Sequence, residues 1–231
     1  MLKKWEDLPD FMRIPEVRPY WEILKRKQFQ LFLKRAFDFL AALFFLFILT
    51  FPILIISIVI KIDSKGPVIY RQERVTAYGR HFRIHKFRTM VCDADKIGSV
   101  VTVRNDSRIT RVGTILRHLR LDELPQLIDV LQGTMSFVGT RPEVAKYVEQ
   151  YQPAFFATLL MPAGITSEAS IRYKDEERLL NDTDDIDAVY LGQILPIKMK
   201  WNLESIRRFR LLRETLTMIR TVLAILGKQY S

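Results

Sequence analysis

From Phe39 to Ile60 the chain reads FLAALFFLFILTFPILIISIVI, 22 residues without a charge. About 20 apolar residues in a helix match the roughly 30 Å hydrocarbon core of a bilayer. The segment therefore implies either a membrane element or one very large buried helix. It starts too far into the chain and runs too long to be the apolar core of a cleavable signal peptide, and no small-residue cleavage site follows. Pro52 interrupts it. Proline removes a backbone donor and clashes with the preceding turn, which predicts a kink. Both flanks are basic, with Lys34 and Arg35 before the run and Lys61 and Lys65 after it. The positive-inside bias thus favours neither orientation of a crossing helix. If both flanks stay cytoplasmic, the run enters and returns. A break at Pro52 leaves halves of about 20 and 12 Å, each too short to span alone. This favours a re-entrant, kinked pair whose freed backbone groups are served by Thr50 or Ser57. A kinked single-pass helix and a buried soluble helix are the alternatives.

Ahead of this run, Pro9, Pro15 and Pro19 interrupt regular structure until about Tyr20. From there Tyr20, Trp21, Ile23, Leu24, Phe29, Leu31, Phe32 and Leu33 alternate with Lys25, Arg26, Lys27, Lys34 and Arg35. Such a basic amphipathic helix suits anionic lipid, and suits ordinary packing equally well. At the other end, Ile206, Phe209, Leu212, Leu216, Ile219, Leu223 and Leu226 recur at helical spacing beside Arg207, Arg208, Arg210, Arg213 and Arg220. That helix lies on the membrane or packs on the domain.

Lys and Arg number 36 against 26 Asp and Glu, a net charge of +10. The excess predicts an anionic partner: nucleic acid, acidic lipid or a phosphorylated substrate. Cys92 is the single cysteine, so neither an internal disulfide nor a multi-thiolate zinc site is available.

Between the apolar run and the last helix, 67–75 and 80–87 read as strands joined near Tyr78-Gly79. His81 and His85 have the spacing of a helical metal pair, but the alternation around them argues strand, which discards zinc there. Helices are expected near 107–119, 122–132, 142–151, 171–181 and 203–227, with a buried strand at 134–138. The acidic cluster 182–187 reads as a solvated helix start.

No Walker, dinucleotide-binding, nucleophile-elbow or zincin motif is present. The block RHLRLDELPQLIDVLQGTMSFVGTRP, 117–142, carries what chemistry there is. Asp122 and Glu123 open a helix whose first turn includes Pro125, a pattern that by itself needs no more than helix capping. Around them stand Arg117, Arg120 and Arg141, with Gly133 and Gly139 permitting tight turns. Free N–H groups at a helix start complete what can serve as a phosphate site. A carboxylate beside an anion pocket makes chemical sense if a divalent cation bridges the two or if the carboxylate is a nucleophile.

The order of these segments resembles a known family. A proline-centred apolar run, HKFRTM (85–90), RHLRLDELPQL (117–127), GTMSFVGTRPE (133–143) and MPAGIT (161–166) are similar to those of the bacterial sugar transferases, monotopic polyprenol-phosphate phosphoglycosyl transferases. The resemblance covers about 34–227. It implies a membrane enzyme that moves sugar-1-phosphate from a nucleoside diphosphate sugar to polyprenol phosphate and releases a nucleoside monophosphate. The implied dyad is Asp122 and Glu123, with Asp122 attacking the sugar-bearing phosphate to form a phospho-aspartyl intermediate. Glu123 organises the metal or handles charge and protons. Mg²⁺, held by Asp122 and Glu123, is the implied cofactor. Arg117, Arg141, Pro142, Lys86 and Arg88 are the implied substrate-binding residues, with Arg141-Pro142 facing the nucleotide.

Some positions depart from the pattern. Phe51 stands where serine commonly precedes the membrane proline, Thr134 where G-D-M-S has aspartate, and Thr140 where V-G-P-R-P has proline. EASIRYKDEE follows the MPAGIT run, as in another branch of the family, and sugar specificity is expected to differ most there.

The expected fold is α+β: a small, mostly helical cytosolic catalytic domain with short strands, a re-entrant membrane helix and amphipathic interfacial helices. The expected divisions are an N-terminal extension (1–35), the membrane helix (36–62), the catalytic domain (63–200) and a C-terminal amphipathic helix (201–231). The expected location is the cytoplasmic face of a bacterial inner membrane, with anionic lipid as partner, homo-oligomers allowed and no nucleic acid. A membrane-anchored scaffold without activity is the alternative; retention of both dyad acids argues against it.

Overall fold

The computed structural model describes residues 2–92, 94, 106–173 and 185–225. Helix α1 (Arg18–Lys25) leads into α2 (Gln28–Asp63), a 36-residue helix that stays helical through Pro52. The chain therefore does not separate into two helices at the proline. Thr50 and Ser57 donate to the carbonyls of Leu46 and Ile53, one turn back, and not to the Ile48 carbonyl that Pro52 leaves without its helical donor. The most apolar 18 residues of α2 have a mean hydropathy of 3.0, long and apolar enough to cross a membrane. One face, including Phe39, Leu40, Phe44, Phe47, Phe51, Leu54 and Ile58, is exposed.

The other face of α2 is tied to a single globular domain on both sides of Pro52. Ala41, Ala42, Leu46 and Leu49 pack against Leu127, Val130 and Met135, while Ile53, Ile56 and Ile60 pack against Phe87 and Leu116. Polar links fix the ends. Arg35 donates to the carbonyls of Val130 and Leu131 at 2.6 and 2.9 Å, and Asp63 accepts from the Val112 amide at 3.3 Å. Lys34 is not a solvated flank: it is buried, 2.6 Å from Glu214. Asp38, also buried, accepts from Ser136 Oγ at 2.7 Å.

Strands β1 (Ile69–Val75) and β2 (His81–Phe87) pair antiparallel, Ile69 opposite Phe87 and Val75 opposite His81. Their connection is a tight 3-10 turn in which Tyr78 and Gly79 both have positive φ. His81 faces Glu73 and His85 faces Asp129, which bears out the strand reading. Helix α3 (Arg111–His118) is capped by Thr110 Oγ1, which accepts from the Gly113 amide. The chain then turns through Arg120, left-handed at φ 56°. A 3-10 turn follows (Leu121–Glu123), then α4 (Gln126–Gln132), ended by Gly133 at φ 79°. Strand β3 (Met135–Val138), fully buried as the sequence predicts, pairs in parallel with β4 (Ala163–Thr166). Gly139 and Gly164 lie so close that a Cβ on either would overlap the other's backbone or the residues beside it.

Only Ala145–Val148 (α5) of the helix expected at 142–151 is α-helical. The carbonyl of Glu143 is instead drawn to the Val75 amide, beside β1. Helix α6 (Glu168–Arg172) begins the segment expected at 171–181, whose remainder lies outside the described residues. After α7 (Ile186–Val189) and a π turn (Tyr190–Ile194), the expected C-terminal helix divides into α8 (Leu195–Arg207) and α9 (Leu211–Ile225). The division drops Phe209 into the core, with its carbonyl accepting from Lys27 Nζ.

The main core joins Leu8, Met12, Val17, Tyr20, Trp21 and Leu24 with Tyr147, Phe155, Leu160, Tyr190 and Met199. The apolar face of α1 is thus spent on the domain rather than on lipid, while Phe29 and Phe32 at the start of α2 remain exposed. Helix α9 does both. Met218 joins the cluster around β3, while Leu212, Leu216, Ile219 and Val222 form an exposed stripe along the helix.

Candidate active site

Asp122 and Glu123 do not open helix α4, as the sequence suggests, but sit on the 3-10 turn before it. Pro125 has no N–H to give the Leu121 carbonyl, so that carbonyl is taken by Leu124 in the tighter i→i+3 pattern. The turn buries both acids, with Asp122 9% and Glu123 8% exposed.

The two carboxylates have different surroundings. Glu123 Oε1 accepts from Arg141 Nη2 at 2.6 Å and from Lys86 Nζ at 3.1 Å. Burial alone would raise Glu123, but Arg141, Lys86 and Arg120 outweigh it and hold the carboxyl well below the usual range. Asp122 accepts no hydrogen bond among the described residues. Burial and the charge of Glu123 push it above the usual carboxylate range, against the opposing pull of Lys86, Arg117 and Arg120. Burial likewise lowers Lys86, a loss partly offset by Glu123. One acid is thus anchored as an anion, and its neighbour is left basic and unbonded. That pairing suits a nucleophile beside an electrostatic anchor.

Three elements bring these groups together. Lys86 comes from β2, the dyad from the turn before α4, and Arg141 from the loop after β3. That loop is pinned at its start, where the Thr140 carbonyl accepts from the Gly164 amide at 2.9 Å. Threonine in place of proline at 140 therefore leaves the loop anchored through its carbonyl. The Pro142 carbonyl accepts from Arg74 Nη1 at 3.2 Å, and the buried Glu143 accepts from Tyr190 Oη at 2.6 Å. Thr134, where the family has aspartate, bonds the Asp129 carbonyl through both its amide and its hydroxyl.

Of the residues implied by sequence, Lys86, Glu123 and Arg141 are in direct contact, and Arg117 acts on Asp122 through its charge. Pro142 stands beside them, held by Arg74. Arg88 is apart, bonded to Ser64 at the end of α2. Sequence reasoning missed Arg74 and Asp129, neither of which has a motif spacing to mark it. Its period-two pattern in β1 could have placed Arg74 on the face opposite Glu73.

The chain matches the model of the family described as bacterial sugar transferase over residues 29–228. It is 34% identical over 198 residues to the UDP-N-acetylgalactosamine-undecaprenyl-phosphate N-acetylgalactosaminephosphotransferase of Aeromonas hydrophila, an alignment covering 84% of this chain and 44% of that protein. It is 33% identical over 196 residues to the UDP-glucose:undecaprenyl-phosphate glucose-1-phosphate transferase of Caulobacter vibrioides, covering 84% of this chain and 69% of the relative. The exopolysaccharide production protein PSS of Rhizobium leguminosarum bv. phaseoli is 40% identical over 149 residues, 62% of this chain and 74% of that protein. The chain thus spans less than half of the Aeromonas relative and about two thirds or more of the other two. With the family model covering most of its length, the chain belongs to the bacterial sugar transferase family.

Proposed function

We propose that the chain is a membrane phosphoglycosyl transferase that moves sugar-1-phosphate from a nucleoside diphosphate sugar to undecaprenyl or a similar polyprenol phosphate. The observation that carries this reading is the contrast within the dyad: Glu123 anchored by Arg141 and Lys86, Asp122 buried yet unbonded. A carboxylate oxygen of Asp122 attacks the sugar-bearing phosphorus. The bond from that phosphorus to the bridging oxygen breaks, and the nucleoside monophosphate departs with the electron pair. An oxygen of the polyprenol phosphate then attacks the same phosphorus, displaces Asp122, and yields the polyprenyl diphosphate sugar. Two displacements replace one difficult transfer between two anions. Glu123 keeps Lys86 and Arg141 in place beside the anionic substrates, and Arg117 and Arg120 add positive charge near the attacking group.

The donor set also fits Mg²⁺. That ion is commonly held by one or two carboxylates plus substrate phosphates, and Asp122 has oxygens free of hydrogen bonds. Asp122 with Glu123 would hold it, and when bound it would neutralise charge on the diphosphate.

The proposed location rests on α2. Arg35 and Asp63, 28 residues apart on the helix and so about 42 Å along a straight axis, both bond the same domain. A helix crossing a bilayer of about 30 Å would carry these residues to opposite sides. The two attachments weigh against a crossing helix and support an element that enters and leaves the bilayer on one side; we take that side to be the cytoplasmic face. The exposed stripe of α9, bordered by Arg213 and Arg220, suits anionic lipid at the same boundary.

Purified chain supplied with Mg²⁺, polyprenol phosphate and a panel of nucleotide sugars should release nucleoside monophosphate with one of them. A quenched reaction should carry sugar-phosphate mass on Asp122. Retained turnover in Asp122→Asn would refute the nucleophile.

A further inference from the structure

Arg88 is 5% exposed and carries a charge that no carboxylate meets among the described residues. Its Nη2 donates to the carbonyl and the hydroxyl of Ser64, at 2.7 and 2.8 Å. Its Nε and Nη1 are buried without a partner. A guanidinium served only by two neutral oxygens is a costly thing to bury, and donors on Nε and Nη1 are left that an anionic oxygen can take.

The place of this group narrows the ligand. Ser64 directly follows Asp63, the last residue of α2, so the guanidinium lies where the apolar helix meets the domain. Lys61 and Lys65 are exposed beside it. Gly66, at φ 125°, passes so close that a Cβ there would overlap both Arg88 Nη1 and Cys92 Sγ. The Cys92 thiol donates to the Lys65 carbonyl at 3.1 Å, and the cysteine is exposed. Among the described residues, Gly66, which has no side chain, and Cys92, held by a weak thiol bond, lie beside Nη1.

We propose that Arg88 and Ser64 form an anion subsite that takes a phosphate group presented at the membrane boundary. The inference rests on the reading of α2 as a membrane element, and it is separate from the chemistry of Asp122. Arg88 supplies an N–H donor from Nη1, Ser64 turns its hydroxyl to the same ligand, and the bound anion covers Cys92, whose Sγ meets the same Gly66 position as Nη1.

Cys92 is the only cysteine in the chain, so its reaction with a maleimide reports occupancy without any turnover. The full-length protein in non-ionic maltoside micelles would be labelled alone, with polyprenol phosphate, with phosphatidylglycerol, and with inorganic phosphate. The expected result is at least fivefold slower labelling with one of these. A polyprenol phosphate effect identifies an acceptor subsite, a phosphatidylglycerol effect a lipid headgroup, and an inorganic phosphate effect a free anion. Arg88→Gln should weaken the protecting ligand about tenfold or more, and Ser64→Ala, which spares the buried fork, should weaken it by less. Asp122→Asn should keep the protection while losing transfer, so failure of the nucleophile and failure of this subsite give different results. No protection by any of the three ligands, or protection undiminished in both Arg88→Gln and Ser64→Ala, would overturn the proposal.

Discussion

Asp129 grips His85 at two atoms: Oδ2 accepts from the His85 backbone amide at 2.9 Å and Oδ1 lies 2.7 Å from its ring Nδ1. Both residues are buried. The pair fastens α4 to β2 immediately before Lys86, and α4 follows the dyad turn. The Lys86–Glu123 contact is therefore closed from behind by a second, fully internal link.

Removing that grip should be felt in stability. Asp129→Ala leaves a buried amide and a ring nitrogen without a partner, at about 1–3 kcal/mol for each group. A loss of roughly 2–6 kcal/mol overall should lower the melting temperature of the detergent-solubilised protein by several degrees. Asp129→Asn keeps an acceptor for the amide and should lose less than half as much. A melting temperature for Asp129→Ala within a degree of the parent protein would show that the link bears no weight.

Asp122 gives the opposite expectation. Burial and Glu123 raise its folded pKa, so the native state favours the protonated form. This contribution is present at low pH and is lost as pH rises through the folded value. At neutral pH the ionised carboxylate opposes folding. Asp122→Asn should therefore abolish transfer while raising the melting temperature at pH 7–8, and the gain should shrink as the medium is acidified. Groups kept for chemistry at the expense of stability behave in this way.

The same shift can be read directly in the metal-free protein. With Mg²⁺ removed by a chelator, the Asp122 carboxyl should titrate with an inflection above about 3.9, the ordinary aspartate value. Glu123→Gln removes one of the two causes that raise Asp122 and should move that inflection to lower pH. It should also lower the overall rate, because Lys86 and Arg141 lose the oxygen they share. An inflection that stays in place in Glu123→Gln would mean that burial alone raises Asp122.

The sequence disclosed these acids through a motif but not their local structure. R-L-D-E-L-P-Q reads as a helix start, because acids and proline are favoured there. The left-handed turn at Arg120 and the missing donor of Pro125 instead make a separate 3-10 turn. Strands β1, β2 and β3 were legible from alternation and apolar content. Strand β4 was not, since four residues containing Gly164 carry no periodic signal and gain their pairing only from β3. Long-range polar links were the least legible. Lys34 reads as a solvated basic flank, yet its ammonium is buried against Glu214, 180 residues away. Asp38 and Asp129 stand in no motif that marks them, because only the folded chain brings Ser136 and His85 to them.

These buried contacts also decide how the membrane geometry is tested. A cysteine at Lys34 would break the Glu214 pair and would be shielded from reagent. Arg26, exposed just before α2, and Lys65, exposed just after it, are the suitable sites, in a Cys92→Ala background. With Arg35 of α2 bonded to α4 and Asp63 of α2 bonded to α3, the two new thiols should react with an impermeant reagent from the same, cytoplasmic side. Labelling of inverted vesicles should mark both, and labelling of intact spheroplasts neither. Reaction of one thiol from each side would establish a crossing helix. The helix would then have to leave the domain at Arg35 or at Asp63, and loss of whichever contact breaks should be visible as faster backbone hydrogen exchange in α4 or in α3.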